Sequence, residues 1–158
     1  MSLSPQATSA ATFQPANPGY AERVRSSFAR QQAMTLVGAE LVAVSPGYCA
    51  IALVPRPEVT QQHGYVHAGI VATIVDSAGG YAGFTLFPTD ASVLTVEYKL
   101  NLLAPATGDR LVAEGFVVKP GRTLVITRGE VHAERAGTRT LVALMQQTLM
   151  VMGGKPDA

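Results

Sequence analysis

From Ala68 to Leu86 the sequence reads AGIVATIVDSAGGYAGFTL and carries one charged side chain, Asp76. A run that is apolar, small or hydroxylic on every side predicts a helix buried over most of its surface. Pro88 and the polar residues around it close the helix. Gly69, Gly79, Gly80 and Gly83 lie inside it. Each costs about 1 kcal/mol against alanine in an exposed helix, so close approach to a neighbouring surface must offset them. A single sheet built from this chain is too small to wrap such a helix completely. A second copy is therefore expected to cover the remainder.

The flanking segments supply that sheet. NPGYAERVRSSFARQQAM, from Asn17, places Val24, Phe28 and Met34 on one side of a short amphipathic helix. TLVGAELVAVSPGYCAIALVPRP, from Thr35, reads as two strands joined at Ser45-Pro46-Gly47, with prolines ending the second. Four strand-like runs follow the long helix. The first, SVLTVEYKLNLL, alternates Leu94, Val96, Tyr98, Leu100 and Leu102 on one side with Thr95, Glu97, Lys99 and Asn101 on the other. DRLVAEGFVVK is next, then a turn at Lys119–Arg122. TLVITRGEVHAE sets Val125, Thr127, Gly129, Val131 and Ala133 against Leu124, Ile126, Arg128, Glu130, His132 and Glu134. TLVALMQQTLMVM is the last. Antiparallel strands joined by short turns, with one helix laid across them, make an α+β layer architecture. The expected division is a disordered arm over 1–18, one domain over 19–152 and a flexible tail over 153–158.

Composition narrows the function. A formal charge of +1 gives no basic surface for nucleic acid. The single cysteine, Cys49, excludes a disulfide framework or thiolate cluster within one chain and reads as core. No basic head with an apolar run opens the sequence, and no stretch is long enough to span a bilayer. The expectation is a cytoplasmic protein with no membrane or nucleic-acid partner.

The lone acid then needs an account. A buried, unpaired carboxylate is costly and shifts its pKa upward. One reading gives Asp76 a local hydroxyl partner, Thr73 or Ser77, or a wet edge. The other starts from the helix N-terminus. Ala68 and Gly69 carry backbone N–H groups without helical partners, in the positive end of the helix dipole. Such an end can hold a carbonyl oxygen that turns negative during acyl transfer. Asp76 lies eight residues on, about 12 Å along the axis, too far to serve that carbonyl. Two copies with antiparallel helices bring the start of one to the middle of the other, which predicts a two-fold dimer with two equivalent sites.

The stretch HGYVHAGIVATIVDSAGGYA (His63–Ala82), with VEYKLNLLAPATGDRLVAEGFVVKPGRTLVITRGEVH, resembles the hotdog-fold acyl-CoA thioesterases of the phenylacetate-pathway, PaaI-like type. The resemblance covers about residues 35–151. It implies a curved antiparallel sheet around one central helix, paired into homodimers and often homotetramers, hydrolysing thioesters of coenzyme A without a cofactor. By position, Asp76 matches the family's general base or nucleophile. Ala68 stands where the middle glycine of His-Gly-Gly polarises the carbonyl, and His67 matches the histidine orienting the helix start. Gln61 or Gln62 falls where the family has an asparagine, and Thr95 where some relatives place a serine. His63 and Gly69 flank the substrate. Two departures are Ala68 for glycine, which narrows approach to that amide, and glutamine for asparagine, one methylene longer.

Arg122, Arg128 and Lys99 are candidate partners for coenzyme A phosphates, Arg122 foremost. His63 and His67 have a metal-ligand spacing but sit in a loop without a third ligand nearby, so no metal is assigned. His132 is expected on an outer strand face. Two other functions fit the fold: an acyl-CoA sensing module, which has no need of the acid, and a hydratase, whose Asp–His pair the separation of His67 from Asp76 disfavours.

Overall fold

The computed structural model describes residues 13–157. Residues 1–12 of the expected arm lie outside the described residues. Two helices come first, α1 (Tyr20–Arg30) and α2 (Gln32–Val37). The sequence reading expects one helix here and a strand from Thr35. Instead the chain breaks at Gln31, which is extended at ψ 92°, and the second helix buries Met34 and Val37 three residues apart. Gly38 ends it in the left-handed region, φ 73°, where a side chain would be strained.

Strands β1 (Ala39–Ser45) and β2 (Tyr48–Leu53) follow, then the long helix α3 (Ala68–Phe84) and strands β3 (Ala91–Leu102), β4 (Arg110–Lys119), β5 (Leu124–Arg135) and β6 (Thr138–Gly153). The strands form one antiparallel sheet in the order β1-β2-β4-β5-β6-β3. The α+β architecture is as expected. On β5 the alternation holds: Val125, Thr127, Gly129, Val131 and Ala133 are buried. On β6 the inward positions are Ala143, Met145, Gln147 and Leu149.

α3 lies across the inner face, on β2, β4 and β5 above all. Val71, Ile74, Val75, Ala78 and Ala82 carry the contact and are fully buried. The helix sits so low on β4 that a Cβ at Gly115 would come within 2.2 Å of the Ala78 carbonyl oxygen. Arg23 of α1 ties down the far end of the helix. Its guanidinium donates to the carbonyls of Phe84 (3.1 Å), Phe87 (3.2 Å) and Pro88 (2.6 Å) and lies over the Phe84 ring. A cation on the last carbonyls of a helix satisfies orphan acceptors and opposes the dipole.

One stripe of α3 remains uncovered. Ala68 and Gly69 are exposed, and Ala72, Thr73 and Asp76 are half-buried. The sheet has a free edge beside it, because β3 pairs only with β6. β3 departs from the expected alternation. A bulge between Thr95 and Glu97 inserts one residue, so Thr95 pairs with Leu149 and Tyr98 with Gln147, both inward positions. Before the bulge the odd positions face the helix; after it the even ones do. Leu94, Val96, Tyr98 and Leu102, expected on one side, are thus split between two faces, and all four are exposed.

Both ends of the described stretch touch this body. The Phe13 ring fills the space above Gly47, so the packed part reaches back into the stretch expected as a loose arm. At the other end, Asp157 of the expected tail pairs with Arg30 at 2.6 Å.

Candidate active site

Asp76 sits mid-helix on the uncovered stripe, facing β3 and β6. Neither local hydroxyl serves it: Thr73 donates to the Gly69 carbonyl at 2.7 Å, and Ser77 lies 3.5 Å from the Gln31 Oε1. Its partners come from strands. Thr95 Oγ1 donates to Asp76 Oδ1 at 2.9 Å, and Gln147 Nε2 donates to the same oxygen at 2.6 Å. Gln147 also reaches the Asp76 carbonyl at 3.1 Å, and its own Oε1 accepts from Thr127 Oγ1 at 2.7 Å. The result is a relay, Thr127 to Gln147 to Asp76, with both strand donors on one carboxylate oxygen. Burial raises the Asp76 pKa above the usual aspartate range, and the bonds from Thr95 and Gln147 oppose part of that rise.

Gln147 is 1% exposed and was not singled out from the sequence. Its signal was available: in the last strand it occupies an inward position between Met145 and Leu149, and an inward amide needs a buried partner. The close fit around it also accounts for Gly79. A Cβ there would lie 2.1 Å from Gln147 Oε1.

The helix start is a second group of candidate residues. His67 is the N-cap, and its Nδ1 accepts from the Gly69 N–H at 2.9 Å. The His67 carbonyl accepts from Ile70 and Val71. The Ala68 N–H has no hydrogen-bond partner among the described residues. The capping histidine thus occupies one of the orphan donors and leaves its neighbour open. The preceding loop is held in shape by its own backbone. Gln61 N–H donates to the Tyr65 carbonyl at 2.8 Å, Gly64 N–H to the Gln61 carbonyl at 2.9 Å, and the His63 N–H to Gln61 Oε1.

These two groups open into separate clefts of one chain. Asp76 and Thr95 line a cleft of about 360 Å³ with Ser27, Arg30, Gln31, Ser77, Gly80, Tyr81, Val93 and Asp157. Gln61, Gln62, His67 and Ala68 line another, of about 470 Å³, with Leu102, Leu103 and the loop after β3. The structure therefore brings Asp76 and Thr95 together, and Gln61, Gln62, His67 and Ala68 together, but not the first group with the second. Gly69 and His63 are exposed near the helix start. Arg122 falls in neither cleft. It lines a groove with Leu86, Phe87 and Pro88, near the opposite end of α3. Arg128 is engaged by Glu130 and the Phe116 ring, and Lys99 by Asn101. His132 lies on the outer face, as expected, between Glu114 and Glu130. Ile74 and Phe84 are core; Tyr81 lines the Asp76 cleft.

The thioesterase superfamily model matches residues 63–139, which hold the helix start, Asp76 and Thr95. A thioesterase family protein from Silicibacter pomeroyi is 47% identical, with a TM-score of 0.85, over 86% of this chain and 100% of that one. The chain belongs to the thioesterase superfamily. The sheet around a central helix is the hotdog fold, shared with the E. coli PaaI protein from the phenylacetic acid degradation operon at a TM-score of 0.77 and 17% identity, over 86% of this chain and 95% of that one. Among curated proteins, an inferred esterase of Halobacterium salinarum is 43% identical over 63 residues, 39% of this chain and 41% of its own length. One of Saccharolobus solfataricus is 30% identical over 61% of this chain and 64% of its own length. The chain thus spans less than two thirds of either. Gln147 lies beyond the segment the family model matches. No helix among the described residues is long and apolar enough to cross a membrane.

Proposed function

We propose that the chain hydrolyses acyl-CoA thioesters at two equivalent sites, each shared between two copies. The observation that carries this is the open stripe of α3: an unpartnered Ala68 N–H at one point and a buried, strand-held Asp76 eight residues on, in separate clefts. Antiparallel pairing of two such stripes, with the free β3 edges side by side, brings each helix start to the partner's Asp76. Gly69, Ala72 and Thr73 are small enough to let the helices approach.

The thioester carbonyl oxygen accepts from Ala68 N–H, aided by the helix dipole, and gains negative charge as the carbon is attacked. His67 keeps the Gly69 N–H engaged and so orients the turn. The partner's Asp76 removes a proton from water as it attacks, or attacks directly to give an acyl anhydride that water then opens; in either route the C–S bond breaks, coenzyme A leaves as the thiolate and takes up the proton that water gives up, and Asp76 is returned as the carboxylate. A carboxylate whose pKa burial has raised is the stronger base for the first route. Thr95 positions Asp76. The Gln61 carboxamide, with its oxygen on the loop, keeps its NH2 for substrate or water; Gln62, His63 and Gly69 wall the entrance, and Arg122 stands outside this set. No cofactor is required. Pairing of dimers into homotetramers and a cytoplasmic setting complete the reading; neither nucleic acid nor membrane is a partner.

Complementation tests it. Ala68→Pro removes the one N–H at the first helical position, where proline is well tolerated, and His67 already has the extended backbone a following proline prefers (φ −60°, ψ 138°). Asp76→Asn removes the base. Each variant alone is expected to lose about a hundredfold or more in turnover, measured as thiol release from acyl-CoAs. Mixed and re-annealed in equal amounts, they are expected to regain about a quarter of the parent rate, because half the dimers carry one intact site. Full activity in either variant, or no recovery on mixing, rejects the shared site. Absence of thiol release by the parent protein favours the sensing module.

A further inference from the structure

The cleft beside Asp76 has a wall that catalysis does not use. Arg30, the last residue of α1, and Asp157, from the C-terminal tail, stand in the same lining as Asp76. Arg30 Nη2 pairs with the Asp157 carboxylate at 2.6 Å, and its Nη1 donates to Ser26 Oγ at 2.9 Å. Around them the wall is polar: Ser27 Oγ lies 3.2 Å from Tyr81 OH, and Gln31 Oε1 faces Ser77. A plain hydrocarbon acyl group would take water from the partly exposed Arg30 guanidinium without offering it an acceptor, which disfavours it. The carboxylate that now sits on Arg30 belongs to a loosely anchored segment. Gly154 is in the left-handed region at φ 68°, and Gly153, Gly154, Lys155 and Pro156 are exposed. Asp157 can therefore leave Arg30 without disturbing the core.

We infer that Arg30 is a specificity residue that binds a carboxylate at the far end of the acyl group, with Asp157 as its resident stand-in. This rests on the hydrolase reading and adds the substrate class: thioesters of short dicarboxylic acids. A guanidinium is suited to this task because its fork of donors matches a carboxylate in two bonds and it stays charged at any working pH. The substrate carboxylate would take the place of Asp157, so the charge count of the cleft is unchanged on binding and Asp76 meets no additional negative charge.

The experiment compares kcat/KM of the full-length protein for succinyl-, glutaryl- and adipyl-CoA with that for butyryl-, valeryl- and hexanoyl-CoA. For at least one matched pair, the carboxylated thioester is expected to be preferred by about tenfold or more, the range of a charge-assisted bond. Arg30→Gln should bring that ratio to about one, and Arg30→Lys should retain part of it. Asp157→Asn removes the competing carboxylate and should lower KM for the carboxylated substrate relative to its plain counterpart. No preference for the carboxylated thioester in any pair, or a ratio that Arg30→Gln does not move, overturns the inference while leaving Asp76-dependent hydrolysis in place. If no thioester is hydrolysed, the hydrolase reading fails and this inference fails with it.

Discussion

Gln147 donates its amide to the Asp76 carboxylate at 2.6 Å, across 71 positions of sequence. The same side chain accepts from Thr127 and is almost wholly enclosed. The carboxylate is therefore held in a fixed direction by donors on a single oxygen, the orientation that the proposed general base needs.

Replacing this donor should change the acid rather than remove it. Gln147→Leu takes away a bond that lowers the Asp76 pKa and leaves burial unopposed except by Thr95. The acid limb of the pH–rate profile is expected to move to higher pH, with reduced turnover below it. The Thr127 hydroxyl would also lose its acceptor, at a cost of about 1–3 kcal/mol, seen as a lower urea midpoint. An unmoved profile would separate Gln147 from the chemistry.

Asp76→Asn should separate activity from stability. Burial raises the folded-state pKa of Asp76 above its unfolded value, so the folded form favours the proton. That stabilisation is complete below the usual aspartate range and is lost as pH rises through the raised value. Asparagine keeps an oxygen for Thr95 and Gln147 and carries no charge. The variant is expected to melt above the parent at neutral pH, to converge with it in acid, and to lose about a hundredfold or more in turnover. Thermal melts across pH check all three.

Gly79→Ala tests the fit directly. A methyl group there would meet Gln147 Oε1 at 2.1 Å and Thr127 Oγ1 at 3.1 Å. Overpacking of this kind costs about 1–3 kcal/mol, and displacement of the amide should lower turnover as well. Gly80→Ala is the control for the helix itself, since nothing lies within 4 Å of a Cβ at that site; it should leave chemical stability at or above the parent value.

Charging the free edge of β3 should dissolve the shared site without unfolding a subunit. Val96 and Tyr98 are 52% and 47% exposed on a strand with one neighbour. Val96→Lys with Tyr98→Asp is expected to give monomers by light scattering, with helix and strand signals kept and turnover lost together with the dimer. A folded, active monomer would refute the shared site.

Much of this was readable in order along the chain. The uncharged run from Ala68 announces a covered helix, because no other element satisfies its backbone while hiding that many apolar side chains. The alternation in β5 assigned each residue to its face. The eight-residue gap between Ala68 and Asp76, set by helix rise alone, is the ground for proposing two copies. What failed or stayed hidden depends on contacts between distant segments. Thr35–Val37 went into a helix because Met34 and Val37 reach the core together. The bulge in β3 was settled by pairing with β6, and strict alternation cannot report an inserted residue. Thr73 and Ser77, the near hydroxyls, lost Asp76 to Thr95 and Gln147, which approach from the sheet. Periodicity fixes which side of its own element a residue occupies. Which residue of another element stands opposite is decided when the helix settles on the sheet, and at Asp76 that placement set the partners, the direction and the proton affinity of the acid.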